Sequence, residues 1–397
     1  MILKGKNIVI TGIQSWDINI GSNCKNIALE FAKHNRVIYV NPPLDLSTLL
    51  RRNKSDEVKK HLEVIRSKKG NLFRVSKNLW VLYPKPVMFS ISKVPFNRLF
   101  DFFNKVNNKR FAKSIKKALK RNNMTFYYHF CDSDIFRSYH LKELLMPLKY
   151  IYYTRDNLKA VPFWKKHGSR IEPKHMAKAD IVVSNSEYLA QAARKFNDKS
   201  YFVGQGCNLN SFYSIQADAT PNELDNVRGP IVGYIGALNS KRLNINLIET
   251  LAKSRPEWNI VLIGPQDDEF KNSNLQKTQN IVFIDAIPEY EIPRYLKAFD
   301  VAINPQLVNE LTIGNYPRKI DEYLAMGKPV VATKTLTMEY FLPHVLLAET
   351  DADWLINIEH CLKENSFELQ KQRSLFALKH SWANNVNNIY TKILKSA

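Results

Sequence analysis

Hydrophobic and polar positions along the chain form two separate series of strand-like and helix-like segments. The first series opens with a strand over Lys6–Thr11, a glycine-bearing loop, a helix over Lys25–His34 and a strand over Arg36–Val40. The apolar residues of this helix have the spacing of a stripe that faces a core. The series continues with strands over Thr125–His129, Tyr150–Tyr153, Asp180–Ser184 and Tyr201–Val203, and with helices over Pro173–Ala179 and Glu187–Phe196.

A second series begins after residues 204–229, which show little periodicity and contain glycine and proline. It predicts strands over Ile231–Ile235, Asn259–Ile263, Ile281–Ile284, Val301–Ile303 and Val330–Ala332, with helices over Asn244–Ser254, Ile292–Ala298 and Lys319–Met326. Alternating strands and helices form parallel sheets that are covered on both faces and bind ligands at the carboxyl ends of their strands. The predicted fold class is therefore α/β, with two doubly wound domains that face a cleft.

Length and composition agree with two globular domains. The chain has 397 residues, of which 45% are hydrophobic and 24% are charged, so disordered, collagen-like and coiled-coil classes are excluded. We place the domains at 1–203 and 204–382. No apolar run approaches the length of a membrane-spanning helix, and the first residues enter a strand without the apolar core of a signal peptide. We therefore expect a cytoplasmic location.

The four cysteines, Cys24, Cys131, Cys207 and Cys361, are far apart and form no CxxC pair. Neither a disulfide framework nor a zinc site is expected from this spacing. Asp132 and Asp134 form a DxD sequence, the pattern of some metal sites, but we interpret it as the start of a helix. No metal site is therefore predicted.

The net charge of +21 is confined to one half of the chain. Residues 1–200 carry 39 Lys and Arg against 15 Asp and Glu, whereas residues 201–397 carry 19 against 22. The basic pairs lie mostly between Arg51 and Arg121, with aromatic residues between them. Such a surface favours an anionic partner, either a phospholipid surface or a nucleic acid. The stretch lacks any known nucleic-acid-binding motif, and this argues for the membrane.

Two segments of the second half carry residues suited to an anionic ligand. In one, Arg318 and Lys319 come just before a predicted helix and can bind a diphosphate, while Glu322 can accept hydrogen bonds from two ribose hydroxyls. In the other, a strand ends at Gly236, where a ligand can approach the main chain, and Lys241 and Arg242 follow. The alternatives are an ordinary helix between two strands and a solvated pair of loop cations.

Taken together, these segments resemble the GT-B glycosyltransferases of family 4 (glycosyl transferases group 1), in the bacterial envelope-polysaccharide branch that includes teichuronic-acid-type enzymes. The segments VGYIGAL, WNIVLIGP and YPRKIDEYLAMGKPVVAT occur in the order of the family, within residues 229–333. The segments IVITGIQSWDINIGSN and KADIVVSNSEYLA match it in outline. Ser381 and Trp382 resemble the last helices of the family, so we expect the tail 383–397 to pack back on the first domain.

The resemblance implies a sugar-nucleotide donor in the second domain. Glu322 matches the second glutamate of the E-x7-E motif, whereas the first would fall at Gly314 and is absent. Main-chain amides near Gly314, or Glu310, would then contact the donor sugar. Arg242 matches the diphosphate-binding arginine and Ile287 lies in the loop that reads the base. The implied donor residues are Gly236, Lys241, Arg242, Gly264, Ile287, Gly314, Asn315, Tyr316, Arg318, Lys319 and Glu322.

On the acceptor side, the resemblance places Trp16, Gly21 and Ser22 in the loop after the first strand. There are three catalytic candidates: Asp17 lies beside Trp16 in this loop, His129 ends a predicted strand, and Asp156 follows one. The alternative for Asp17 is a role in a turn or a helix cap. The alternative for His129 and Asp156 is a purely structural role.

The expected activity is transfer of a sugar from a nucleotide diphosphate, with retention, to a lipid-linked or polysaccharide acceptor in envelope or exopolysaccharide synthesis. No cofactor or metal is expected, and the enzyme would sit peripherally on the inner membrane face through residues 51–121. One alternative is a GT-B protein that binds a sugar nucleotide but has lost catalysis. The other alternative is a nucleic-acid-binding protein, which we do not favour.

Overall fold

The computed structural model describes residues 2–18, 21–68, 70–209, 212 and 221–396. The chain forms two compact units, one of Met1–Gly204 with Asn385–Ala397 and one of Gln205–Asn384. Residues 210, 211 and 213–220 of the predicted connection over 204–229 lie outside the described residues.

The first unit contains an eight-stranded sheet in the order β3-β4-β2-β1-β5-β6-β7-β8. All neighbours are parallel except β3, which pairs antiparallel with β4 at one edge. The strands are β1 (Asn7–Gly12), β2 (Arg36–Val40), β3 (Leu72–Ser76), β4 (Leu79–Leu82), β5 (Tyr127–Asp132), β6 (Lys149–Thr154), β7 (Ile181–Ser184) and β8 (Ser200–Phe202).

The helices of the first unit cover this sheet. They are α1 (Asn23–Ala32), α2 (Leu46–Leu50), α3 (Asp56–Arg66), α4 (Asn97–Arg121), α5 (Leu141–Leu145), α6 (Pro162–Lys178) and α7 (Glu187–Arg194). Helix α1 begins after Ser22, whose side chain accepts a hydrogen bond from the Lys25 amide. Its apolar stripe, including Ile27 and Phe31, is buried, as its spacing predicts. The longest helix, α4, packs one face into the core through residues such as Phe111 and Ile115.

The second unit contains a six-stranded, fully parallel sheet in the order β11-β10-β9-β12-β13-β14. The strands are β9 (Ile231–Ile235), β10 (Asn259–Ile263), β11 (Ile281–Ile284), β12 (Val301–Asn304), β13 (Val330–Thr333) and β14 (Val345–Ala348). The helices are α8 (Ile245–Ser254), α9 (Asp268–Lys271), α10 (Ile292–Ala298), α11 (Lys319–Ala325), α12 (Asp351–Lys363) and α13 (Phe367–Leu378).

The strands of the second sheet are buried on both faces, which explains why they are almost continuously apolar. Gly233 in β9 shows how closely the layers pack. A Cβ atom at this position would collide with the ring of Phe299, which is itself fully buried. The glycine therefore makes room for an aromatic side chain in the core.

The last helix, α14 (Trp382–Lys395), supplies the C-terminal part of the first unit. The ring of Tyr390 stacks on Phe31 with centroids 5.3 Å apart, and its hydroxyl accepts a hydrogen bond from the Asn35 amide at 2.9 Å. Ile389 is fully buried beside it. These contacts dock α14 against α1.

Helix α6 and the hairpin of β3 and β4 differ from the sequence-based prediction. Helix α6 begins at Pro162, eleven residues before the predicted start at Pro173, which lies inside the helix. A proline usually marks a first turn, and here that role belongs to Pro162 rather than Pro173. The hairpin of β3 and β4 was not predicted, because β3 is mostly exposed and lacks a clear apolar alternation.

We predict that Ile389→Ala lowers the stability of the first unit by about 2–5 kcal/mol, because it removes a buried aliphatic side chain. Hydrogen exchange followed by mass spectrometry should show faster exchange in β1 and β2 and unchanged exchange in β9 and β10. Lys395→Ala, an exposed change in the same helix, should leave both regions unchanged. Equal loss of protection in both units would contradict the assignment of α14 to the first unit.

Candidate functional site

A cavity of about 380 Å³ lies in the second unit at the carboxyl ends of β9 and β12. We call it the β9–β12 cavity. Its walls come from the loop after β9, from Glu289 and Ile292 near α10, from the end of β12 and from the segment that enters α11. It is lined by Tyr234, Ile235, Gly236, Ala237, Arg242, Leu243, Glu289, Ile292, Asn304, Gln306, Asn315, Tyr316, Pro317, Arg318, Lys319 and Glu322.

Lys319 and Glu322 are the titratable pair in the wall of this cavity. Desolvation lowers the pKa of Lys319 to about 7, with Arg242 acting in the same direction and Glu322 against it. Desolvation also raises the pKa of Glu322 to about 7, although Arg318 and Lys319 oppose the rise. The Lys319 ammonium lies 3.7 Å from the centroid of the Tyr234 ring and donates a hydrogen bond to its hydroxyl. A bound anion would therefore favour the charged form of Lys319.

The buried carboxylate of Asp321 anchors the start of α11. One of its oxygens lies 2.6 Å from His380 Nδ1 and accepts a hydrogen bond from the Tyr316 hydroxyl at 3.3 Å. The other oxygen lies 3.2 Å from the Cys207 thiol. Asp321 is 0% exposed, so these partners compensate a charge that has no access to water. The network holds Tyr316 and α11 at the cavity wall.

Asn304 is a cavity residue that the sequence-based prediction missed. It ends β12 and is 3% exposed, yet among the described residues its Nδ2 has no hydrogen-bond partner. A buried amide without a partner is costly unless a ligand or water accepts from it. Asn304 lies in the same stretch of sequence as Arg318 and Glu322. An asparagine followed by a proline is typical of a turn, however, and does not by itself indicate a ligand contact. Glu289, Gln306 and Tyr234 were missed as well.

Gly236 and Gly264 mark a close approach between the ends of β9 and β10. A Cβ on Gly264 would collide with the carbonyl group of Gly236, and both residues have positive φ, 140° and 146° respectively. A Cβ on Gly236 would meet the Lys319 ammonium at 2.6 Å. Gly236 therefore leaves space in front of Lys319, whereas Gly264 supports this geometry from outside the cavity lining.

Seven of the predicted donor residues line the β9–β12 cavity, and four do not. The lining residues are Gly236, Arg242, Asn315, Tyr316, Arg318, Lys319 and Glu322. Lys241 is exposed and does not line the cavity, and its carbonyl accepts a hydrogen bond from the Asn309 side chain. Gly264 lies behind the cavity, as described above. Ile287 packs against the core of the unit, two residues before Glu289 enters the wall.

Gly314, where the family motif has its first glutamate, lies in a turn of residues 309–315. The side chain of Asn309 accepts from the amides of Leu311 and Thr312, and the Asn315 amide donates to the Thr312 carbonyl. The Asn315 amide is therefore already engaged and is a poor candidate for the predicted contact with a donor sugar. The Glu310 side chain is exposed in the same turn.

In the first unit, the predicted acceptor-side residues lie around the loop after β1. The Trp16 amide donates to Asn41, and its ring lies edge-on to Tyr39 at 5.2 Å. The Asp17 carboxylate is 8% exposed and accepts hydrogen bonds from Lys60 and from the Tyr83 hydroxyl. Asp17 is thus held in an ion pair, not free at the end of the loop.

Gly21 and Ser22 have different surroundings. Gly21 is exposed. Ser22 is buried, caps α1 and donates a hydrogen bond to the Gln14 side chain at 2.7 Å. The serine therefore connects the start of α1 with the loop after β1.

The predicted position of His129 at the end of a strand is wrong. His129 is the third residue of β5, which continues to Asp132, and its side chain is 0% exposed. Its Nε2 lies 2.9 Å from the Thr11 hydroxyl, and burial lowers its pKa to about 3. The imidazole is therefore neutral and enclosed within the sheet, not placed at the carboxyl end of the strand.

Asp156 follows β6 and its side chain is 41% exposed. It pairs with Arg155, which also donates to the fully buried Asp132 at 2.9 Å. The interpretation of Asp132 and Asp134 as a helix start is wrong, because a turn follows β5 and α5 begins only at Leu141. Asp134 instead stabilises this turn by accepting from the Arg137 amide.

A second cavity, of about 340 Å³, lies in the first unit and is mainly apolar. We call it the β1–β5 cavity, because it opens beside the residues that follow β1, β2 and β5. Aromatic side chains form much of its wall, and Asp45, Asp134 and Arg137 contribute charge. The aromatic residues are Phe89, Phe136, Phe163 and Trp164.

Metal clusters and membrane-spanning helices are both absent from the residues that the structure describes. In that part of the chain, no group of three or more His, Cys, Asp or Glu side chains is placed to hold a metal ion. No helix found there is long and apolar enough to cross a membrane.

Comparison with known proteins decides the class of the second unit. Residues 229–363 match the family model described as glycosyl transferases group 1. The chain resembles a group 1 glycosyltransferase of the GT-B fold. This confirms the resemblance stated from the sequence, and the matched residues include Arg242, Lys319 and Glu322 of the β9–β12 cavity.

One curated relative is a Bacillus subtilis (strain 168) protein that carries the name teichuronic acid biosynthesis glycosyltransferase TuaH. It is 25% identical over 252 residues, which cover 61% of this chain and 62% of that protein. The match thus spans less than two thirds of the relative's length.

Solved structures show the same fold. Sucrose-phosphate synthase from Thermosynechococcus elongatus aligns with a TM-score of 0.65 and 13% identity, covering 99% of this chain and 100% of that one. Anabaena Alr3699/HepE in complex with UDP aligns with a TM-score of 0.64 and 14% identity, with the same coverage. The predicted α/β, GT-B class is therefore confirmed.

We predict that binding of inorganic diphosphate to the β9–β12 cavity takes up protons at pH 8. Lys319 has a pKa of about 7, so it is mostly neutral at this pH and must be protonated to pair with the anion. Calorimetric titrations in buffers of different ionisation enthalpy measure the proton uptake.

Lys319→Arg is the control, because arginine keeps its proton at this pH. The difference in proton uptake between the wild type and this variant gives the contribution of Lys319 separately from that of Glu322. Equal uptake by both proteins would contradict the prediction.

Proposed function

We propose that this protein is a glycosyltransferase that moves a sugar from a nucleotide diphosphate to an acceptor in cell-envelope or exopolysaccharide synthesis. The observation that carries the proposal is the β9–β12 cavity, where Arg242, Arg318 and Lys319 surround Glu322 within the family-matched residues. The name of the Bacillus relative supports a polysaccharide product. The Anabaena protein crystallised with UDP, and also with UDP-glucose, supports a nucleotide-sugar donor.

In the proposed reaction, the bond between the sugar C1 and the diphosphate oxygen breaks, a bond forms from an acceptor hydroxyl oxygen to C1, and the hydroxyl proton passes to the leaving diphosphate. Negative charge then accumulates on the leaving diphosphate. Arg242, Arg318 and Lys319 are suited to stabilise that charge, because cations aimed at a developing anion act strongly in a partly dehydrated site. We assign this neutralisation to side chains of the chain, without a bound metal or cofactor, and we propose retention at C1.

Two further residues bind the donor in this proposal. Glu322 accepts hydrogen bonds from the ribose hydroxyls, which requires its carboxylate form. Asn304 donates a hydrogen bond from its unpartnered Nδ2–H to an oxygen of the sugar nucleotide. With Gly314 in place of a glutamate, Asn304, Gln306 and Asn315 are the amide side chains in the cavity that can orient the sugar.

The acceptor is assigned to the first unit. The β1–β5 cavity suits a ligand with an apolar part, because aliphatic and aromatic side chains form most of its wall. A lipid-linked or polysaccharide acceptor fits this mixture of apolar wall and charged Asp45, Asp134 and Arg137. Asp156 and Asp17 are the remaining candidates for contact with the acceptor, alongside Trp16, Gly21 and Ser22.

A GT-B protein that binds a sugar nucleotide without transferring the sugar is the alternative that the structure itself motivates. Gly314 removes the first glutamate of the family motif, and the turn around it offers an engaged Asn315 amide instead. A panel of UDP-, GDP- and ADP-sugars separates the two. Donor hydrolysis or transfer supports the enzyme, and binding without turnover supports the alternative. Product NMR showing inversion at C1 would remove the proposal of retention.

We predict that Arg242→Ala lowers donor affinity or kcat/KM about 10–100-fold, the range expected for loss of a charge-assisted hydrogen bond. Glu322→Ala should lower donor affinity or kcat/KM by a similar factor. Initial rates with the best donor of the panel measure both effects. Arg228→Ala, an exposed arginine outside the cavity, is the matched control and should transfer sugar as the wild type does. Wild-type rates for both cavity variants would show that the donor site is misplaced.

We also propose that the first unit binds an anionic membrane surface. Helix α4 carries Lys109, Arg110, Lys116, Lys117, Lys120 and Arg121, which we call the α4 basic surface. The sequence offers Phe89, Phe96, Phe100 and Phe103 of this region for shallow insertion, and the structure changes this set. Phe100 is fully buried, and Phe89 and Phe103 pack together at 4.9 Å. Phe96 and Phe102, which are 70% and 62% exposed, are the side chains available for shallow insertion.

We predict that vesicle binding rises with the fraction of anionic lipid and falls with salt, because each cation near such a surface contributes about 1 kcal/mol. Combined substitution of Lys109, Lys116 and Lys120 by Glu should abolish co-sedimentation. The same change at the exposed Lys166, Lys174 and Lys195 should reduce it far less. Equal binding to neutral and anionic vesicles, or none to either, would contradict the proposal.

A further inference from the structure

A third cavity, of about 380 Å³, lies in the first unit between the last turns of α4 and the hairpin of β3 and β4. We call it the α4 cavity. It is lined by Asn71, Leu82, Lys85, Pro86, Lys113, Ser114, Lys117, Ala118 and Arg121. No residue of this wall belongs to the β9–β12 cavity or the β1–β5 cavity.

Four cations and no carboxylate line the α4 cavity. Lys113, Lys117 and Arg121 are spaced four residues apart and therefore lie along one face of α4. Lys85 faces them from the loop after β4. Like charges at this spacing destabilise a helix rather than support it. The arrangement therefore stores repulsion that a bound anion would relieve.

No neighbouring acid compensates this charge. Residues 102–121 contain eight Lys and Arg and no Asp or Glu. Among the described residues, none of the four cations forms a salt bridge with a carboxylate, although elsewhere in the first unit Lys142 and Arg170 do. The cations are thus available for a ligand.

Polar groups at the bottom of the cavity complete the site. Asn71 is 8% exposed, and its Oδ1 lies 3.4 Å from Arg121 Nη1, which orients the guanidinium. Ser114, also 8% exposed, adds a hydroxyl to the wall beside Lys113. The cavity therefore combines a directed guanidinium, a hydroxyl and three ammonium groups.

We propose that the α4 cavity binds a phosphomonoester or diphosphate group. Multiple cations around a small volume match an anion that carries more than one charge, and lysine and arginine are the usual phosphate ligands. A cavity of this size, lined by exposed cations, fits one such group better than a polymer backbone, which needs an extended groove. The site lies outside the proposed donor site and does not depend on the proposed glycosyl transfer.

The first test is calorimetric titration with inorganic diphosphate, with chloride at matched ionic strength as the reference. The wild type carries two possible sites, so the titration is repeated in Arg242→Ala, which weakens the β9–β12 cavity. We expect saturable binding to persist in that variant. Combined substitution of Lys113, Lys117 and Arg121 by Gln, added to Arg242→Ala, should weaken it about 10-fold or more.

Substitution of Lys166, Lys174 and Lys195 by Gln in the same background removes equal charge elsewhere in the unit and should leave the affinity unchanged. The cavity variant is expected to fold, because its substitutions are exposed and relieve repulsion, and circular dichroism checks this. Absence of diphosphate binding in Arg242→Ala, or equal weakening by both triple variants, would overturn the proposal.

The second test asks whether the phosphate group comes from a lipid or from a soluble compound. Vesicles with phosphatidic acid carry a phosphomonoester, whereas phosphatidylglycerol carries only a phosphodiester. Preference for phosphatidic acid at equal surface charge, lost in the cavity variant and reduced by free diphosphate, assigns the site to a lipid headgroup. Diphosphate binding without this preference assigns it to a soluble phosphate. Absence of diphosphate binding together with absence of the preference for phosphatidic acid would contradict a phosphate site in the α4 cavity.

Discussion

The buried carboxylate of Asp321 is the interaction on which the arrangement of the second unit's cavity depends. A carboxylate removed from water is costly unless its partners compensate it, and His380, Tyr316 and Cys207 do so. Because Asp321 faces inward, its neighbour Glu322 lies at the cavity wall one residue further along α11. The same network brings together three distant parts of the unit, since Cys207 precedes the sheet and His380 follows α13.

Much of the second unit could be predicted because its information is local. Its strands are buried on both faces and read as short apolar runs, and Arg318, Lys319 and Glu322 lie within one contiguous segment. Asn304 escaped prediction, although it belongs to that segment, because only the burial of its amide reveals its role. Ile287 and Gly314, in contrast, were predicted from the sequence but do not line the cavity. A family pattern assigned them to the site, but core packing and a turn determine where they lie.

The first unit was harder to predict because pairing between distant strands determines it. The periodicity ended β5 at His129, yet pairing with β1 and β6 extends the strand to Asp132 and encloses the histidine. Phe100 and Phe96 look alike in the sequence, and only the packing of α4 makes one a core residue and leaves the other exposed. The cluster of basic pairs between Arg51 and Arg121 was visible in the sequence, but not that three cations of α4 share a cavity with Lys85.

The helix α14 has a consequence for the order in which the chain is completed during synthesis. The sheet of the first unit leaves the ribosome first, but Ile389 and Tyr390, which cover α1, are translated only after the whole second unit. Until then Phe31 lacks the ring that stacks on it, and Asn35 lacks the Tyr390 hydroxyl. The nascent first unit therefore exposes apolar surface for the time needed to translate about 180 residues, roughly 10–40 s at about 5–20 residues per second. Protection by a chaperone is most valuable to this protein during that interval.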